Sequence, residues 1–60
     1  MYTAEEKAKE ARREVTYRQF VYSRRLAAGK MTEADAKRKI AIMEEIAADY
    51  EKLAEGERLL

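Results

Sequence analysis

The chain has 60 residues with no cysteine, histidine or proline, and its formal net charge is +1. That composition excludes disulfides, the usual zinc sites with sulfur or imidazole ligands, and catalysis by a histidine base or a cysteine nucleophile. Charged residues make up 42% of the chain, and Ala, Glu, Lys, Arg and Leu dominate, which suits long helices and not strands.

Thr3-Ala4-Glu5-Glu6 has the form of a capping box: the threonine hydroxyl accepts from the amide three residues on, and Glu6 reaches back to the cap amide. A first helix is predicted over about 4–28. No breaker interrupts it before Gly29, which can take the left-handed conformation that ends a helix, and Arg24 and Arg25 suit its negative C-terminal end. Along it, Ala4, Ala8, Ala11, Val15, Tyr22 and Leu26 form one stripe, the expected core of the hairpin described below. Tyr17, Phe20, Val21 and Ala28 turn away from that stripe.

The turn is assigned to residues 29–32, with Thr32-Glu33-Ala34-Asp35 as a second start signal of threonine cap and acidic first turn. A connection this short either folds the two helices back on each other as an antiparallel αα-hairpin or sets them at a steep angle, and helices long enough for contact along their whole length favour the hairpin. The second helix is predicted over about 33–56. Gly56 weakens its end, and Leu59-Leu60 either continues the helix or frays. Ala36, Ile40, Met43, Ala47, Tyr50 and Ala54 are spaced 4, 3, 4, 3, 4, the seam of a packed pair. Ile42, Ile46 and Leu53 fall on a flank beside it and widen the apolar arc to roughly 160°, more than one partner helix covers.

The fold class is therefore all-α: a single two-helix hairpin domain over 1–60 that self-associates into a four-helix-type bundle, most simply a dimer. Oligomerisation is also the remaining common support for a scaffold this small, which buries only about 60% of its unfolded surface alone. The charge is unevenly spread. Arg12 to Lys30 carries six bases and one acid, whereas Met31 to the end carries five bases and eight acids. The first half can thus attract anions or the second half.

Nothing in the chain composes an enzyme. Ser23 has no base to form a triad. Glu44-Glu45 and Glu51/Glu55 lack the Asp/Asn/Gly-rich loop of a calcium site and read as a solvated face. No phosphate loop or cofactor fingerprint occurs, and no cofactor or metal is expected. No apolar run of about 18 residues exists for a membrane span, and Met1 leads into Glu-rich sequence instead of a signal peptide, so a cytoplasmic setting is expected.

Val15 to Arg25, VTYRQFVYSRR, gathers three aromatics and three arginines. Setting Phe20 at 0°, Arg13 falls near about 20°, Arg24 about 40°, Tyr17 about 60° and Val21 about 100° on a helix. The arginines ring apolar patches, as rim charges around an interface do. Tyr17, Phe20, Val21, Ile42, Ile46 and Leu53 are the expected interface residues, facing another copy or another protein. The alternative is nucleic-acid contact, with Arg13, Arg18, Arg24 and Arg25 on phosphates and aromatics on bases.

Val21, Tyr22, Leu26, Gly29-Lys30-Met31-Thr32, Ala36, Ile40, Met43, Ile46-Ala47 and Asp49-Tyr50 form a pattern that resembles a group of short uncharacterised proteins of bacterial genomes and prophages. The resemblance covers about two-thirds of the chain, and Ser23 stands where the group has proline. It implies a phage or mobile-element setting and no activity. The functional expectation is a small non-enzymatic interaction module that oligomerises and binds, or inhibits, a host or phage protein.

Overall fold

The computed structural model describes residues 1–59; Leu60, and with it the question of how Leu59-Leu60 ends, lies outside the described residues. Two helices, α1 (Ala4–Ala27) and α2 (Glu33–Arg58), form an all-α hairpin. At the start of α1 the Glu6 amide donates to the Thr3 hydroxyl at 3.1 Å and the Thr3 amide donates to the Glu6 carboxylate at 3.3 Å, completing the capping box. At its end Gly29 takes φ +70°. Its amide donates to the Leu26 carbonyl and the Lys30 amide to the Arg25 carbonyl, the paired bonds of a Schellman stop, which satisfy carbonyls that a helix end otherwise leaves open. Two residues later the Thr32 hydroxyl accepts from the Asp35 amide at 3.2 Å and α2 begins.

The helix bounds differ slightly from those predicted. α1 stops at Ala27, one residue early, and α2 runs through Gly56 to Arg58. A single glycine costs a helix about 1 kcal/mol relative to alanine, too little to end α2 while Ala54 is still held in the seam.

Cross-helix contacts set the antiparallel register. The Lys7 ammonium lies 5.6 Å from the centre of the Tyr50 ring, Arg12 meets Glu51, and Arg18 meets the carbonyl of Lys39. The seam between the helices is built almost entirely of alanine. Ala4, Ala8, Ala11 and Val15 are buried from α1, and Ala36, Ala47 and Ala54 from α2. Small side chains let two backbones approach closely, but they remove little apolar surface from water. The larger members of both stripes, Tyr22, Leu26, Ile40, Met43 and Tyr50, are half-buried, because a two-helix seam covers each of them from one side only. No large side chain among the described residues is fully buried.

The result is a rod of 48 × 16 × 15 Å with a radius of gyration of 14.0 Å; a compact domain of this length has about 10 Å. Its accessible surface is 4971 Å², against about 4,000 Å² for an ordinary globular chain of 7.0 kDa.

Candidate interaction surfaces

The hairpin has two broad sides and two backs, each with a different chemistry. One broad side is polar. Here the guanidinium of Arg12 grips Glu51 in two parallel bonds, Nε to Oε2 and Nη2 to Oε1, both 2.8 Å. The hydrogen bond from Arg12 holds the Glu51 carboxyl below the ordinary carboxylate range, and the same bond raises the already high pKa of Arg12. This pair ties the N-terminal half of α1 to the C-terminal half of α2.

The other broad side carries Lys7 over Tyr50 and Arg18 against Lys39. Ile46 and Leu53 follow Lys39 at seven-residue steps, and Ile42 stands one turn after it. All three isoleucine and leucine positions therefore share that side. They are exposed: Ile42 by 43%, Ile46 by 39% and Leu53 by 57%. Apolar residues on one helical flank and open to water form a continuous strip about 16 Å long, at 1.5 Å rise per residue.

Tyr17 and Phe20 are also exposed, at 63% and 62%. The structure does not merge them with the α2 strip into one surface. Phe20 stands on the back of α1, away from α2, on the same line as Arg13 and Arg24, while Tyr17 sits at the corner between that back and the side bearing Ile42. The Arg24 guanidinium lies 5.5 Å from the centre of the Phe20 ring, a cation–π distance. Val21 is half-buried and lines a shallow hollow with Phe20, Arg24, Arg25, Ala28 and Lys30.

Of the four arginines expected to meet anions, Arg18 is the one most engaged within the hairpin. It occupies the seam register, three residues after Val15 and four before Tyr22, and is partly buried. Its Nε donates to Glu14 at 2.9 Å and its Nη1 to the Lys39 carbonyl at 3.0 Å, so two of its five N–H donors are engaged within the hairpin. Arg13 is exposed and pairs loosely with Glu10 at 3.3 Å. Arg25 lies 5.8 Å from the centre of the Tyr22 ring. Among the described residues, Arg24, Arg25 and Lys30 enter no ion pair, whereas Glu5, Glu10, Glu14, Glu33, Asp35 and Glu51 all do.

Two functional features escaped the sequence reading. The spacing 4, 3, 4, 3, 4 that marks the seam of α2 also runs through Ala4, Ala8, Ala11, Val15, Arg18 and Tyr22, so the same rule locates Arg18 at the seam once arginine is admitted to it. The Arg12–Glu51 clamp needs the register of the folded hairpin and carries no local signal. Among the described residues no three acidic side chains converge as a metal site, and no helix is long and apolar enough to cross a membrane. No family model, curated protein or solved structure matches the chain.

Proposed function

We propose that the protein is a small non-enzymatic interaction module that self-associates through the Ile42, Ile46 and Leu53 strip and offers the back of α1 to another protein. One observation carries the reading: a hairpin whose own seam buries mostly alanine leaves Ile42, Ile46 and Leu53 exposed together on one flank. Covering that flank removes apolar area from water at about 25 cal/mol per Å². Tyr17 and Phe20, flanked by Arg13 and Arg24, have the aromatic and arginine content of binding hot spots. The resemblance to prophage proteins adds a setting in which a chain this small acts by steric binding to a host or phage protein.

Sedimentation equilibrium at low micromolar concentration is expected to give more than the monomer mass, and Ile46→Asp is expected to return it to monomer. A folded monomer of the unaltered chain at that concentration overturns the self-association.

A second reading, a nucleic-acid accessory, is favoured by Arg24, Arg25 and Lys30 standing free of carboxylates beside Phe20. Phosphate binding of that kind weakens steeply with salt. A gel shift with single- and double-stranded DNA at 50 mM salt tests it, and absence of retardation removes it.

A further inference from the structure

The charges that the hairpin leaves unpaired are sorted along its long axis. Near the turn stand Arg24, Arg25, Lys30 and Arg38. From the middle of α2 to its end stand Glu44, Glu45, Asp49, Glu55 and Glu57, tempered by Lys52 and Arg58, and beside them at the open end of α1 Glu6 and Lys7 offset each other. None of these residues enters an ion pair among the described residues, where Glu51, Glu14, Asp35 and Glu33 find their cations inside the hairpin. The rod is therefore basic at its closed end and acidic toward its open end, over a length of 48 Å.

The aliphatic strip begins beyond the basic region and runs alongside the acidic one. Ile42 and Leu53 mark its ends, and its centre falls two residues from the middle of α2 (Glu33–Arg58). Arg38 and Glu57 are placed symmetrically about that same centre, each four residues outside the strip, Arg38 at its edge toward the back of α2 and Glu57 at its edge toward the seam.

We infer that the occupant of the strip is a second copy of this chain laid antiparallel, so that the two turns lie at opposite ends of the dimer. This inference rests on the self-association proposed above and specifies its geometry. A two-fold axis through the strip centre sets Ile42 against Leu53 of the second copy and Leu53 against its Ile42. Arg38 then lies level with Glu57 of the second copy at both ends, and each basic turn lies toward an acidic open end. The alternative, with both turns at one end, sets Arg38 against Arg38 and Glu57 against Glu57, and like charges across an interface are costly.

The area fits this occupant. The chain exposes roughly 1,000 Å² more than a compact protein of its mass, and a standard interface buries about 800 Å² on each partner. An antiparallel pairing centred near the middle of α2 overlaps the two helices along almost their whole length, whereas a pairing of the open ends alone covers only part of it.

The absence of cysteine makes the test direct, because one introduced thiol is the only site to be labelled. Lys30→Cys, in the exposed turn, is labelled with a nitroxide in the full chain. Its mass is read by sedimentation and its spin–spin distance by double electron–electron resonance. The antiparallel dimer places the two labels about 50 Å apart, from a rise of 1.5 Å per residue on either side of the strip centre. A dimer with labels within about 25 Å of each other, the spacing of turns on neighbouring helix pairs, overturns the antiparallel arrangement and leaves self-association standing. A monomer by mass overturns both. Charge exchange gives a second readout without labels: Arg38→Glu is expected to weaken the dimer several-fold, and Arg38→Glu combined with Glu57→Arg to restore it. Failure of the double variant to recover also counts against the antiparallel pairing.

Discussion

At the scale of single residues, the seam is governed by size. Ala47 is 0% exposed and faces α1 across a line of other alanines. Ala47→Leu forces three extra carbon atoms into that line and is expected to destabilise the fold by about 1–3 kcal/mol, the usual range for overpacking. Ala41→Leu, on the exposed face of the same helix, is the control and is expected to change stability by less than about 0.5 kcal/mol. Urea denaturation of the two variants at one protein concentration checks the contrast. Glu51 supplies a pH signature. Its carboxyl titrates lower in the folded hairpin than in the unfolded chain because Arg12 donates to it. Its contribution is therefore present above the unfolded pKa, about 4.3, and fades as pH falls through the folded value. The stability difference between the unaltered chain and Glu51→Gln is expected to shrink from about pH 4 downward; a difference that stays constant between pH 7 and pH 2.5 counts against the clamp. The alanines were legible in the sequence because they repeat at helical spacing. Arg18 was not, because a charged residue in a seam reads as surface until the backbone carbonyl of Lys39 and the carboxylate of Glu14 are seen to accept from it.

At the scale of the helices, both starts and the stop between them follow from local chemistry, which is why they could be read directly. Thr3, Thr32 and Gly29 act through atoms within a few residues of themselves. The end of α2 was less legible, since a glycine weakens a helix without ending it, and the outcome depends on the seam contact of Ala54 in the turn before. The two glycines consequently predict opposite responses to one substitution. Gly29 sits at φ +70°, where a Cβ is strained even with open space around it, so Gly29→Ala is expected to destabilise by about 1–2 kcal/mol. Gly56 lies inside a right-handed helix with nothing within 4 Å of an added Cβ. Gly56→Ala is expected to stabilise by up to about 1 kcal/mol. Thermal unfolding followed by circular dichroism separates the two signs, and equal signs would show that one of the two backbone assignments is wrong.

At the scale of the whole molecule, the limiting quantity is buried apolar area. With 4971 Å² still exposed, the hairpin removes only about half of the roughly 10,000 Å² that an unfolded chain of this mass presents, below the ~60% of a typical small domain. That shortfall was partly visible in the sequence as an apolar arc too wide for one neighbour. Its division was not: helical projection could separate Ile42, Ile46 and Leu53 from the seam, but only the assembled hairpin shows that Phe20 stands on the back of α1 and off the side that bears the strip, and that Val21 is half-buried. Stability that depends on a second copy must depend on concentration, since mass action adds to the folded state whatever free energy association supplies. The thermal midpoint is therefore expected to climb as total protein is raised from about 2 µM to 200 µM. Ile42→Glu combined with Leu53→Glu should abolish that climb, because both side chains lie on the exposed strip and outside the alanine seam. The same pair should leave the midpoint at the lowest concentration nearly unchanged. If the double variant instead unfolds at every concentration, the strip supports the single hairpin; if the unaltered chain shows no climb, the hairpin is stable by its alanine seam and its caps alone.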